Sequence, residues 1–253
     1  MKHIPEALRR AIQMSVVASF LVAPSLASAQ QLAFPSAVGA GAYTVGGRGG
    51  VVLHVTTLAD SGVGSLRWAL TDEANRGLDR TIVFDVSGVI ENLTPLRLSN
   101  ADGEPTFTGG ITLNGFTAPR GGITIIGHMI RFVEGPQVIV RGLRFRCGYE
   151  TESALYSRSS ILFGDSAGVI VDRCSIGFNE EQSTGGNGGD ARAPNSGITF
   201  QNNLIGNGRR GAITGSNTND GVPARVTWTR NVLVDCGWRT PNVAGNIRMD
   251  LVN

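Results

Sequence analysis

The chain has 253 residues, 41% hydrophobic and 17% charged, enough for one buried core and too apolar for a disordered segment. Its 35 glycines follow no G-X-Y period, which excludes collagen and points to many tight turns. The first 29 residues carry three of the 22 bases and one of the 20 acids, so the remainder is neutral and offers nucleic acid no bulk attraction.

The N-terminus reads as a signal peptide over residues 1–29. Lys2, Arg9 and Arg10 form a positive start, Met14 to Ala23 is mostly apolar, and Ala27-Ser28-Ala29 fits small-x-small cleavage. Cleavage after Ala29 would leave a secreted or periplasmic domain over residues 30–253. Neither the leader nor any later run is long enough for a membrane span.

Further on, period-two alternation predicts strands at Val51 to Val55, Thr81 to Val86, Ile111 to Leu113 and Ile123 to Ile126. Between the first two, Ser65 to Asn75 predicts a helix that is capped by Ser65 and buries Leu66, Ala69 and Leu70. Four longer segments then share one pattern: Val138 to Phe145, Val169 to Ile176, Ile198 to Ile205 and Val226 to Leu233. Their sixth positions are Leu143, Cys174, Asn203 and Asn231, and Asn253 ends a related stretch. A repeat of strands separated by Gly, Asn and Asp turns predicts an all-β solenoid, a single-stranded parallel β-helix with a short N-terminal capping helix. Asn203 and Asn231, with Asn253 as a third member, would stack as an internal ladder, each amide donating to and accepting from its neighbours. A β-sandwich would not repeat polar positions together with apolar ones. Asn253 falls inside what reads as a further coil, so that end is either truncated or an exposed edge.

Three short motifs lead nowhere. Gly164-Asp165-Ser166-Ala167-Gly168 spells G-x-S-x-G, but a strand follows it and both later histidines, His54 and His128, lie upstream. Gly206 to Gly211 spells G-x-G-x-x-G without the strand–helix unit that a dinucleotide needs. Gly46-Gly47-Arg48-Gly49-Gly50 lacks the Lys-Ser/Thr end of a P-loop. Cys147, Cys174 and Cys236 form no zinc spacing; one pair could bridge, or all three could be buried thiols. Beyond Lys2 every basic side chain except histidine is arginine, which grips carboxylates bidentately, so Arg141, Arg144, Arg146, Arg173, Arg209, Arg210, Arg230 and Arg239 on or beside the repeats would suit an acidic sugar polymer.

The sequence resembles the pectate lyase superfamily, in particular secreted bacterial polysaccharide lyases. The resemblance rests on Ala33 to Pro35, Gly41 to Gly50, His54 to Thr56, Gly64 to Arg67, Thr81 to Gly88, Gly115 to Pro119 and Val138 to Arg146. It implies a right-handed β-helix and Ca²⁺-assisted β-elimination on pectate or a related polyuronate, acting as a monomer on an acidic polysaccharide. Arg239-Thr240-Pro241 is similar to the first half of the family's R-x-P-x-x-R motif, which makes Arg239 the implied base; Ala244 stands at the second arginine. Val169 to Arg173 is similar to the W-I-D-H strand, with Asp172 matched and Arg173 in place of histidine. Arg210, with Arg209 beside it, stands where the family often has a substrate-gripping lysine, and Arg173 joins these as a substrate-binding candidate. Glu180, Glu181 and Asp190 are the implied calcium ligands, and Ser159 replaces an expected aspartate. The competing reading is a non-catalytic carbohydrate-binding β-helix.

Overall fold

The computed structural model describes residues 30–99, 107–133, 135, 137–147, 159–166, 168–188, 197–216, 224–245 and 247–252. Residues 1–29, Asp190 and Asn253 lie outside the described residues, and residues 32–253 form one compact unit.

The chain winds through three parallel faces. The first is an eight-stranded sheet in the order β1 (Val51–Val55), β2 (Arg80–Phe84), β5 (Ile111–Asn114), β8 (Val138–Arg141), β11 (Val169–Asp172), β14 (Ile198–Gln201), β16 (Ala224–Thr229) and β19 (Ile247–Val252). The second holds β3 (Gly88–Asn92), β6 (Ile123–Gly127), β9 (Arg144–Cys147), β12 (Ser175–Gly177), the start of β15 (Leu204–Ser216) and β17 (Val232–Trp238). The third holds β4 (Leu96–Ser99), β7 (Ile130–Val133), β10 (Ile161–Ser166), β13 (Gln182–Gly188), the remainder of β15 and β18 (Asn242–Gly245). The second and third faces merge because β15 runs through their corner unbroken, pairing with β12 from Leu204 to Gly206 and with β13 from Arg210 to Gly215. This is a parallel β-helix.

Each shared eight-residue segment is two strands and a bend, not one strand. The residue before the sixth position lies in the left-handed region in all four: Gly142 (φ 65°), Arg173 (51°), Asn202 (57°) and Arg230 (53°). That conformation turns the chain from the first face onto the second and points the next side chain inward. Asn203 and Asn231 therefore sit at the corner. Asn231 Oδ1 accepts from the backbone N and the Nδ2 of Asn203, both at 2.9 Å, and Asn203 Oδ1 accepts from Cys174 N at 2.9 Å. Asn203 Nδ2 also donates to Val171 O, and Asn231 Nδ2 donates to Phe200 O.

Like residues stack inside. One column of the first face runs Ile82, Leu113, Val140, Val171, Phe200 and Trp228. Trp228 stacks on Phe200 at 4.3 Å between centroids, and Phe132 on Phe163 at 5.6 Å. The cap is two helices: α1 (Leu66–Thr71) and α2 (Glu73–Arg76). The break falls at Asp72, whose carboxylate accepts from Ala74 N and caps a new start. Ser65 accepts from Trp68 N at 3.1 Å, and Leu66, Ala69 and Leu70 are buried. Arg80, fully buried, donates to the C-terminal carbonyls of α1 at Ala69 and Leu70 and to Leu78 O. Loss of water pushes its guanidinium down to about 10.

The N-terminal segment is a strap across the first face. It crosses six strands, from Thr227 in β16 back to Thr81 in β2. Ala40 N, Gly41 N and Gly47 N donate to the hydroxyls of Thr227, Thr199 and Thr112 at 3.0, 2.8 and 3.1 Å. A side chain at Gly41 or Gly47 would meet Val169 O at 2.3 Å or Arg80 O at 1.9 Å, so the strap can lie this close only with glycine there. Phe34 and Ala42 pack with Ile139 and Ile170, which buries both sides of the central strands.

All three cysteines are free thiols, Cys147 and Cys174 buried. Burial pushes both up to about 12.

Asn203→Leu strips Cys174 N and Val171 O of their partners, and urea denaturation is expected to show a loss on the order of 3 kcal/mol. Exposed Val232→Thr should move the midpoint by less than about 0.5 kcal/mol. A thiol reagent at pH 8 should label Cys236 alone in the folded protein and all three thiols after unfolding. Since the unfolded thiols ionise near 9.0 and the folded ones near 12, stability should fall as pH rises between those values. A Cys147→Ala/Cys174→Ala variant should lose that part of the slope.

Candidate active site

At the corner where the second and third faces merge, one cluster gathers on the outside. Arg210 lies in β15 with Gln182 of β13 and Trp238 of β17 as its partners on either side. Its Nη1 donates to both carboxylate oxygens of Glu181, and both side chains are largely shielded from water. Its guanidinium lies over the Trp238 ring, 5.0 Å from the centroid, and that of Arg239 lies 5.9 Å from the same centroid. Trp238 is 54% exposed, so two cations flank an indole open to solvent.

Backbone geometry sets this arrangement. Arg239 takes a left-handed conformation (φ 61°) and its carbonyl accepts from Ala212 N at 2.6 Å, tying the end of β17 back to β15. On the other side, buried Asn179 holds the chain before β13. Its carbonyl accepts from Arg209 N at 3.1 Å, its Nδ2 donates to Arg210 O, and its Oδ1 accepts from Ser183 Oγ at 2.6 Å. This network presses Glu181 onto Arg210. Arg209 projects outward, exposed.

The other sequence candidates lie elsewhere. Arg173 occupies the bend between β11 and β12, away from the third face, and donates to Asp172 Oδ2 at 3.3 Å. Asp172 is fully buried. Its carboxylate also accepts from Arg141 Nε and Nη2 at 3.1 and 3.0 Å, from Gln201 Nε2 at 2.9 Å and from Asn202 Nδ2 at 2.8 Å. Arg141 in turn lies 3.7 Å above the Phe34 ring, and Gln201 donates to Ser36 O and accepts from Val38 N. A charge buried with this many donors fastens the strap to the sheet. Ser166 ends β10, almost fully buried, with its hydroxyl turned toward Gly164 O, and the next described strand begins at Val169, so no nucleophile elbow exists. Residues 206–211 lie within β15, a strand.

Calcium fits the described residues poorly. Among them no group of three or more His, Cys, Asp or Glu could hold a metal ion. Glu181 is bound to Arg210, Ser159 is fully buried, and Asp190 lies outside the described residues; Glu180 is exposed. Hard cations of this kind want six to eight oxygens.

Sequence reasoning missed Trp238. Its one signal was an aromatic between Gly237 and Arg239 in an otherwise polar turn.

No family model matches the chain. It is 34% identical over 214 residues to probable pectate lyase C of Aspergillus terreus, covering 85% of this chain and 45% of that protein. The Emericella nidulans protein of the same name is 35% identical over 216 residues, with the same coverage, and that of Aspergillus fumigatus strain CBS 144.89 is 34% identical over 227 residues, covering 89% and 48%. The chain is similar to proteins named probable pectate lyase C. It spans about half the length of these curated relatives. The crystal structure of Jun a 1, the major allergen from cedar pollen, superposes with a TM-score of 0.62 at 20% identity, over 85% of this chain and 66% of that one. That likeness fixes the parallel β-helix.

The cluster predicts a fluorescence signature. Of the three tryptophans, Trp228 is 1% exposed and Trp238 54%. Acrylamide should therefore quench a red-shifted emission component that Trp238→Phe abolishes, while Trp228→Phe leaves it in place.

Proposed function

We propose that this chain is a polysaccharide lyase that cleaves pectate or a related polyuronate by β-elimination. The observation that carries this reading is the pair Arg210 and Arg239 around exposed Trp238, on the outer surface of a β-helix similar to proteins named probable pectate lyase C.

The chemistry suits these residues. Elimination removes the C5 proton, forms the C4=C5 double bond and breaks the C4–oxygen bond; the departing oxygen takes up a proton. Charge accumulates on the C6 carboxylate as C5 loses its proton, so cations held against that carboxylate lower the barrier. Arg210, oriented by Glu181, grips the carboxylate, Arg239 takes the C5 proton after first giving up one of its own to solvent, and exposed Arg209 meets a neighbouring uronate. Arg173, tied to Asp172, serves the strap rather than the polymer.

Pectate lyases as a family use calcium. Because the described residues assemble no calcium site, no step here passes through the ion. Glu180 adjoins Glu181 in the sequence, and Asp190 follows in the next turn-rich stretch. We further propose that residues 1–29 direct export and are removed after Ala29, which places the enzyme outside the cytoplasm with the polymer. Among the described residues no helix is long and apolar enough to cross a membrane.

The test is ultraviolet absorbance on polygalacturonate, since elimination leaves a double bond conjugated to the carboxylate and hydrolysis leaves none. Wild-type protein should raise the absorbance, Arg239→Ala should lower kcat by at least about 100-fold, and Arg210→Ala should raise KM about tenfold. Folded protein that binds the polymer without raising absorbance would instead be a carbohydrate-binding β-helix. A rise that survives chelation assigns carboxylate stabilisation to the arginines; one that chelation abolishes requires ligands beyond the described set.

A further inference from the structure

Phe178 sits where the fold itself has little use for a phenylalanine. It follows β12 in the left-handed region (φ 62°) and is 61% exposed. The residues in register with it on the next two coils, Asn207 (φ 52°) and Asp235 (φ 54°), share that backbone conformation. Asn and Asp tolerate it because their short polar side chains bond locally, whereas a bulky ring is an outlier there. Burial does not repay Phe178 either, since the residue is mostly exposed. Strain kept at an exposed aromatic points to contact with something outside the fold.

The surroundings narrow what that partner is. The Arg146 guanidinium lies 5.3 Å from the Phe178 centroid. It is itself fixed, donating to Phe145 O, Ser175 O and Ser175 Oγ at 2.8 Å each, so the ring is steadied by a cation that cannot swing away. The next residue, Asn179, accepts from Arg209 N at 3.1 Å, and Arg209 is exposed one coil on. One coil further is Trp238, 54% exposed.

Phe178, Arg209 and Trp238 thus occupy three successive coils, each displaced in the same direction along the strands. At about 4.8 Å between coils and 3.3 Å per residue, the backbones of the two aromatics are roughly 14 Å apart, farther than one sugar ring reaches. Ring, cation and ring match what a polyuronate presents, since each unit carries an apolar C–H face and one carboxylate. Exposed Glu180 and Asp235 border this line, so stacking rather than charge has to supply the grip at Phe178. A polyanion without rings would leave both aromatics idle, and a neutral glycan would leave Arg209 idle.

We propose that Phe178 is a second stacking platform for the polyuronate, holding a sugar several units away from the one at Trp238. The identity of the polymer rests on the lyase reading above. A contact at that distance adds affinity for long chains alone and leaves the reacting unit and its arginines untouched.

Calorimetry on the full chain carrying Arg239→Ala, which suppresses turnover, tests this with digalacturonate and hexagalacturonate. Phe178→Asn supplies the residue that the next coil uses at this position, so its urea midpoint should equal or exceed the parent's. It should weaken hexagalacturonate binding about tenfold and change digalacturonate binding by less than about twofold, while Phe178→Trp keeps the hexamer affinity. Unchanged hexamer affinity in Phe178→Asn, an equal loss for the dimer, a lower midpoint, or no hexamer binding to the folded parent would each overturn the platform. The lyase reading fails separately. Flat ultraviolet absorbance with the wild-type chain, alongside hexamer binding that depends on Phe178, sinks elimination and leaves the platform standing. A rise in absorbance with hexamer binding indifferent to Phe178 does the reverse.

Discussion

Parallel pairing between successive coils is the constraint on which the rest of this molecule depends. Strands one coil apart lie about 4.8 Å from each other, so whatever a position holds in one coil meets its counterpart in the next. Inside, this forces apolar residues onto apolar ones and aromatics onto aromatics, as in the stacking of Phe200 on Trp228. At the corner it forces an amide onto an amide, and Asn231 meets Asn203. Outside, the same rule sets Arg210 beside Trp238 and Asn114 beside Arg141. The arginine–indole cluster is a product of coil register rather than of loops converging from distant parts of the fold.

Much of the fold was legible because the repeat writes it several times. The strand at Val51–Val55 and the burial of Leu66, Ala69 and Leu70 follow from local periodicity alone. The division of each repeat into two strands was not legible. Arg173 and Arg230 carry no local mark of a left-handed bend, and only stacking against Asn202 and Gly142 reveals why they adopt one. The split of the capping helix was hidden for another reason: Asp72 reads equally well as a helical residue and as a cap, and the geometry chose the cap.

The candidate site was legible in part. Arg210 and Arg239 were singled out by a motif, but that they flank one indole depends on pairing between β15 and β17, which sequence spacing alone does not specify. Glu181 was read as a metal ligand through the resemblance to lyases that carry a calcium-binding acidic pair nearby; in the fold it is within reach of Arg210, and a carboxylate beside a guanidinium pairs with it. Asp172 was read through its match to the W-I-D-H strand of the family it resembles, yet full burial among Arg141, Gln201 and Asn202 gives it a fastening role. The strap was the least legible element. Residues 33–50 have no periodicity, and their partners are threonines scattered from Thr81 to Thr227.

Those partners bear on the order in which the molecule comes together. Ala40 bonds to Thr227, 187 residues further along the chain, and Gly41 to Thr199, 158 residues away. Contacts of such long range form late, because the intervening chain must first be brought into place. The coils, by contrast, join neighbours about thirty residues apart and can assemble one on another. During synthesis the strap leaves the ribosome before any coil exists, then waits for the six strands it crosses, up to β16, before its glycines have a surface to lie on. A segment made ahead of these six strands is thus folded only after them.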